Sequence, residues 1–214
     1  MSKIKPGQIG RFNGKIGDLV VSKFRKMIIG RSTPSPSSKL PTAKQKQIRA
    51  IFALITTFIS KFADYIAIGF PKAVGNQGGR NLATKYHIEN AVVITPDGYE
   101  VDYEKVVLSK GNLVAVYDVV VTSLPNRELS VAWKMETFVD DKNKATDTVA
   151  FVAYSPDLGF SIGSTNLAKR SDLEGSLTLM RAFAGKKVHV YMFLVGTDGE
   201  NTSPSEYLGE YTIL

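Results

Sequence analysis

No cysteine occurs in the 214 residues, which excludes a disulfide framework and any thiolate metal site. Histidine is nearly as scarce. His87 and His189 are the only two; a zinc site would need both plus carboxylates, and no His-x-x-x-His spacing exists. Both therefore read as structural or solvated. No Gly-x-Ser-x-Gly is present, and Ser161 and Ser164 have no histidine near them in sequence to activate a nucleophile. Long apolar runs are missing too. The most apolar window, Ile51 to Ile59, gives way to Lys61, far short of the roughly 20 residues a bilayer requires, so no membrane span is expected. The opening Met1-Ser2-Lys3-Ile4-Lys5-Pro6-Gly7 lacks the apolar stretch of a secretory signal, and the expected location is the cytoplasm or an assembled particle.

Acidic residues are almost absent from the front of the chain. Residues 1–90 hold 16 Lys and Arg against Asp18, Asp64 and Glu89, a net +13, whereas residues 91–214 hold 11 against 17, a net −6. A basic front and an acidic back suit either an anionic partner or head-to-tail contact between copies, because complementary fields steer association. A solvated basic face on a long helix gives the same count.

What is present falls into three segments: a basic arm and linker over residues 1–40, a helical region over 41–111, and a strand-rich domain over 112–214. In the first, Leu19-Val20-Val21-Ser22-Lys23-Phe24 and Met27-Ile28-Ile29 read as two strands about Arg25-Lys26, a β-hairpin. Such a hairpin is marginal alone, so it must dock, on its own helix or on a neighbouring subunit. Ser32 to Pro41 is a Pro/Ser-rich linker able to carry it. Thr42 and Gln45 then form a capping-box pattern, followed by Ile48, Ile51, Phe52, Ile55, Phe58, Ile59, Phe62 and Ile66 at one-face helical spacing until Gly69-Phe70-Pro71. One long amphipathic helix, with an apolar stripe that needs a cover, is the expectation. A second, shorter helix is expected from about Asn81 to Asn90.

From Ala91 the period changes to two. Val92 to Ile94 and Val101 to Leu108 about Pro96-Asp97-Gly98, then Leu129 to Trp133, Thr148 to Tyr154, Leu177 and Leu179, Val188 to Val195, and Glu206 to Leu214 read as strands. Trp133, Val131, Phe151, Val190 and Leu194, at the centres of these runs, are the expected core. The predicted class is α+β: a β-hairpin arm, a long helix with a shorter partner, and an antiparallel β-sandwich of immunoglobulin or fibronectin-III type.

Three further patterns bear on chemistry. Gly75-Asn76-Gln77-Gly78-Gly79-Arg80 is glycine-rich, but no strand precedes it and no Lys-Ser/Thr follows, so the context of a phosphate loop is missing. Asp140-Asp141 with Asp147 suggests calcium, yet Lys142 and Lys144 intervene and the EF-hand pattern is absent. In the first fifty residues, twelve cations stand against Asp18 alone, and Phe12 and Phe24 lie among them. Phosphate contacts and base stacking need little more, although no established nucleic-acid motif is present. The residues expected to make assembly or nucleic-acid contacts are Lys15, Lys23, Phe24, Arg25, Lys26, Arg31 and Arg49. No catalytic residue, metal ligand or cofactor is expected.

Gly14-Lys15-Ile16-Gly17-Asp18-Leu19-Val20, Ile29-Gly30-Arg31-Ser32, the Pro41-Thr42 helix start, Val188 to Phe193 and Ser203 to Gly209 together resemble a family of uncharacterised Bacteroidota proteins known only as a domain of unknown function. The resemblance spans nearly the whole chain and implies no activity. The front also resembles, more loosely, segments of phage-encoded structural proteins, which implies a virion, filament or appendage component. The expected function is thus non-enzymatic self-assembly into a homo-oligomer through the N-terminal arm. The alternatives are nucleic-acid binding by that arm and glycan or surface binding by the sandwich.

Overall fold

The computed structural model describes residues 2–4, 13–24, 27–35, 39–70, 78–136 and 144–214. The chain is α+β, and it divides into two compact units, Met1–Ala43 and Lys44–Leu214.

In the first unit, β1 (Ser2–Ile4), β2 (Gly14–Ile16), β3 (Leu19–Phe24) and β4 (Met27–Ser32) form an antiparallel sheet in the order β1-β4-β3-β2. The expected hairpin is the centre of this sheet, with Phe24 set opposite Met27; Arg25 and Lys26 lie outside the described residues. The arm is therefore wider than a hairpin. Gly17 takes φ 55, a left-handed conformation open to glycine, so the chain reverses over Gly17-Asp18 and lays β2 back on β3. At the other end of β4, the Thr33 N–H donates to the Asp18 carbonyl at 2.7 Å.

The second unit opens with helices. The single long helix expected from Thr42 to Gly69 is in fact two, α1 (Ala43–Ser60) and α2 (Ala63–Gly69), bent by 87°. The N–H groups of Lys61 and Phe62 donate to Phe58 and Ile59, three residues back, at 3.0 Å each, which tightens the last turn and ends α1. The Ser60 hydroxyl takes the Thr57 carbonyl at 2.6 Å, a local bond that competes with helix continuation. The apolar period runs through the bend because Ile55, Phe58, Ile59, Phe62 and Ile66 all enter one core. No single helix among the described residues is long and apolar enough to cross a membrane.

Then come α3 (Gly79–Asn90), a two-stranded ribbon of β5 (Val92–Thr95) and β6 (Gly98–Val101), and seven more strands: β7 (Tyr117–Leu124), β8 (Glu128–Lys134), β9 (Thr148–Ser155), β10 (Phe160–Ser164), β11 (Glu174–Thr178), β12 (Lys187–Val195) and β13 (Glu206–Thr212). The strand expected from Val101 to Leu108 ends at once: the Asp102 carboxylate accepts from the Glu104 N–H at 3.2 Å and starts a 3-10 turn over Tyr103–Lys105. Two strands escape a sequence reading. In β7 a bulge with Asp118 at φ 50 breaks the alternation, and β10 is rich in serine and glycine.

The seven strands make two antiparallel sheets, β10-β9-β12-β13 and β11-β8-β7. One core lies between them: Leu129, Val131 and Trp133 of β8 meet Val149 and Phe151 of β9 and Val190, Met192 and Leu194 of β12. All five residues expected at the centre are buried. The opposite face of β9 and β12, with Val152, Tyr154, Tyr191 and Phe193, packs against Ile55, Phe58, Phe62 and Ile66. The helical region and the strand-rich region thus share one unit, with the four-stranded sheet as its middle layer. Gly69 shows why this packing selects glycine: a Cβ there would lie 2.2 Å from the Leu108 carbonyl oxygen. The Gly69 carbonyl, left over at the end of α2, accepts from the Lys110 N–H at 2.9 Å and lies 3.1 Å from Ser109 Oγ, as buried helix ends require.

Candidate assembly surfaces

Strand register sorts the arm's residues by face, since directly paired residues share a side. Lys15 pairs Val20, and Val20 pairs Arg31, so the two cations stand in one row across three strands, about 10 Å apart at ordinary strand spacing. The opposite side carries Ile16 beside Leu19, Val21 between Gly14 and Gly30, and Lys23 beside Ile28. Lys15, Lys23 and Arg31 are exposed. Arg49 belongs to α1, in the second unit, and is likewise exposed. The sheet has little core of its own: among its described apolar residues only Val21 is buried, at 1% exposure, while Ile16 is 54% exposed.

On the second unit, the first half of α1 is uncovered. Lys44, Lys46 and Arg49 are exposed, and so are Ile48 at 58% and Phe52 at 54%. The helix therefore leaves the front of its apolar stripe in solvent and borders two grooves. One, of about 470 Å³, lies between Phe52 and Thr56 of α1 and Arg80, Thr84 and Ile88 of α3. The other, of about 540 Å³, lies between Ala53, Leu54 and Thr57 of α1 and Tyr99, Glu100 and Val101 of β6, with Tyr103 and Tyr154 also in its walls and Lys61 near the end of α1.

Tyrosines and acids gather beside that second groove. Tyr103 stacks on His189 with ring centroids 4.0 Å apart, and Tyr154 meets Phe58 edge-on at 5.4 Å. Burial raises the Tyr103 hydroxyl above its ordinary pKa and the charge of Glu100 adds to this. Burial likewise raises Tyr207, helped by Glu104, Glu210 and Asp102. The signal for this cluster is in the sequence as Asp97-Gly98-Tyr99-Glu100-Val101-Asp102-Tyr103-Glu104, an alternation of acids and aromatics that strand and motif reading passes over.

The other chemical candidates are structural where described. His87 is buried; its Nδ1 lies 2.7 Å from the Ala83 carbonyl, and its Nε2 accepts from the Val107 N–H at 3.2 Å. That pair of partners defines the neutral tautomer with the proton on Nδ1, and burial holds its pKa below the ordinary value. His189 is also shifted down by burial, against the pull of Glu210. Asp147 is not a calcium ligand waiting for its ion. Its carboxylate faces Arg170 Nη1 at 3.4 Å and accepts from the N–H groups of Lys144 at 2.8 Å and Thr197 at 3.3 Å; Asp140 and Asp141 lie outside the described residues. Ser161 donates to the Lys61 carbonyl at 2.6 Å, and Ser164 accepts from the Asn166 N–H at 3.1 Å. Among the described residues no group of three or more His, Asp or Glu side chains is placed to hold a metal ion. Residues 75–77 of the glycine-rich stretch, and Phe12, are not among the described residues; nor is the Phe24 side chain.

A family model described as "Family of unknown function (DUF6266)" matches residues 11–209. No curated protein matches the chain. The solution structure of the fn3 domain of human collagen alpha-1(XX) chain is similar to it at 11% identity, covering 49% of this chain and 89% of that one, with a TM-score of 0.34. At that score the likeness carries no argument. These matches do not show the similarity of the N-terminal part to phage-encoded proteins.

Proposed function

We propose, for a chain that belongs to the DUF6266 family and so takes no activity from its relatives, a non-enzymatic structural role in which copies self-associate through the N-terminal arm as a particle, filament or appendage component. The observation that carries this is how little the described residues of the arm bury among themselves. A four-stranded sheet that buries only Val21 among its described apolar residues cannot offset the conformational entropy of ordering its strands. A surface on another molecule can supply the missing burial, and a heterologous contact of this kind closes into a ring or continues as a filament. Charge supports the reading: residues 1–43 hold nine Lys and Arg against Asp18, while residues 44–214 hold 18 against 19 acids. The test is light scattering with electron microscopy on the full-length protein beside a chain beginning at Pro41. Oligomers are expected only when residues 1–40 are present. Full-length protein that stays folded and monomeric at high micromolar concentration removes the proposal.

In the same reading, the two sheets of the second unit form a fibronectin-III-type sandwich. Supporting this, the first, second and fifth of its seven strands make one sheet and the third, fourth, sixth and seventh the other, with Trp133 buried between them. Constant-type immunoglobulin domains instead place the fourth strand with the first, second and fifth.

A second reading, nucleic-acid binding, draws on the row of exposed Lys15 and Arg31 on one side of the arm. It requires affinity for an unspecific duplex oligonucleotide to fall with salt at a slope near −0.9 per phosphate contacted. Absence of binding at low salt eliminates it.

A further inference from the structure

The turn between β5 and β6 fixes which backbone groups the ribbon shows at its free edge. Thr95 and Gly98 flank the two-residue turn Pro96-Asp97 and so form a hydrogen-bonded pair. Hydrogen-bonded and non-hydrogen-bonded pairs alternate along an antiparallel ribbon, which turns the N–H and C=O of Glu100 in toward β5 and those of Tyr99 and Val101 out. The Asp102 N–H donates to the Ala91 carbonyl at 3.1 Å, the next inward position of the same alternation. Among the described residues β6 pairs with β5 alone, so the outward groups of Tyr99 and Val101 are a template for a further strand. That edge faces the groove of about 540 Å³ between β6 and α1, which Tyr99, Glu100 and Val101 all line. Successive strand residues point to opposite faces, and three in a row line one groove only where it follows the strand's edge. The volume is in the range of ligand pockets.

The two faces of β6 dictate what such a strand must carry. Val101 packs against the core that holds Ile55 and Phe58 of α1, and Tyr99 shares its face. Ala53, Leu54 and Thr57 of α1 form the far wall of the groove. Glu100 is on the other face beside its partner Val93, and both are exposed. It makes no ion pair among the described residues, not even with Lys61 of the same groove. A residue added opposite Glu100 forms a non-hydrogen-bonded pair with it, the arrangement in which paired side chains come closest. The geometry points to β6 as the acceptor edge for an extended peptide of another protein with the pattern apolar, basic, apolar, added antiparallel between β6 and α1. Its central Lys or Arg lies opposite Glu100, a favourable cross-strand pair of opposite charges. The flanking residues exchange backbone hydrogen bonds with Tyr99 and Val101 and turn their apolar side chains to the face of the core, as in other cases of strand addition. The arm does not meet this requirement. In β2 the pair Ile16 and Leu19 flanks the turn, which puts the backbone groups of Lys15 on the free side, so Lys15 can pair Tyr99 or Val101 but not Glu100. The contact is therefore separate from self-association through the arm.

Hydrogen exchange on the full-length protein, read at single amides by mass spectrometry, tests this. The probe is the peptide acetyl-Thr-Val-Arg-Val-Thr-amide, beside the same peptide with Glu in place of Arg and a third with both valines N-methylated. Without peptide, the amides of Tyr99 and Val101 are expected to exchange freely and that of Glu100 slowly. The Arg peptide is expected to slow Tyr99 and Val101, half-maximally at about 1 mM or below, and the Glu peptide to need about tenfold more. The chain's net charge of +7 works against that preference, so the preference reports the local carboxylate. Glu100→Lys, at an exposed position and checked for folding by circular dichroism, is expected to reverse the order of the two peptides. The N-methylated peptide, without the two N–H donors, is expected to have no effect. Protection of Tyr99 and Val101 before any peptide is added overturns the free edge. Exchange there that the Arg peptide leaves unchanged, equal effects of the Arg and Glu peptides, an order that Glu100→Lys does not reverse, or protection by the N-methylated peptide overturns the proposed strand addition.

Discussion

The two units of this protein solve the burial problem differently. Lys44–Leu214 has two apolar clusters, one on each side of the β9 and β12 layer, and within it Phe151, Val190, Tyr191 and Phe193 are inaccessible or nearly so. The arm has Val21. The charge divides the same way: residues 1–43 carry a net +8 and residues 44–214 a net −1. The lesson is that hydrophobicity of a strand is not full burial: Val20, Ile28 and Ile29 have good strand propensity, yet among the described residues they are only partly buried. The larger unit has its apolar clusters inside it, while in the arm, under the proposed reading, a partner surface supplies the burial.

The internal stability of the larger unit is tested most severely at Trp133. The side chain is buried between the two sheets and its Nε1–H donates to the Arg170 carbonyl at 3.0 Å, so Trp133→Ala should cost about 3–5 kcal/mol. Urea denaturation checks it, and a loss below about 1 kcal/mol would mean that Trp133 is not a core residue. The next test is Arg170, buried against Asp147 and donating to the Val114 carbonyl. Arg170→Met leaves a carboxylate buried without its countercharge and should cost about 3–5 kcal/mol. Asp147→Asn combined with it should recover part of that loss in the same denaturation assay, because the stranded charge is then gone.

A smaller effect is expected from pH. His87 and His189 both titrate lower in the folded state than their ordinary value of 6.5, mainly because burial disfavours the imidazolium. Below 6.5 the unfolded chain therefore binds protons that the folded chain does not, and stability falls as pH drops through that value. Below the depressed folded values both states are protonated and the penalty levels off. Denaturation midpoints between pH 7.5 and 5 should show this slope, and His87→Gln should flatten it. Stability from these groups that increased on acidification would contradict the buried, neutral assignment. The smallest effect is expected at Phe52, on the same helix as Phe58 but exposed: Phe52→Ser should change stability within about 0.5 kcal/mol. A larger loss would show that the front of α1 is already covered.

Much of this architecture was legible in the residues. The hairpin of β3 and β4, the helical spacing through Ile66, the position of α3 and the strands about Trp133, Phe151, Val190 and Tyr207 follow from periodicity and turn chemistry, which act within a few residues of one another. The site was less legible. Lys15 and Arg31 were visible as charges, but their common row depends on register across three strands. Tyr99, Glu100 and Tyr103 were visible only as an unremarked alternation, and their pairing with α1 into a groove joins residues nearly fifty positions apart.

By itself the sequence determined the local order: where helix gives way to strand near Ala91, which residues are apolar enough to be buried, that no thiolate chemistry exists, and that the basic charge is at the front. Only the tertiary structure decided the 87° bend after Ser60, because the apolar period is the same on both sides of it and only the path of the core tells them apart. It also decided that β9 and β12 are covered on both faces, and that among the described residues β2 and β6 pair on one side alone. Burial and pairing are properties of distant segments meeting, and short-range pattern carries no information about which meetings occur.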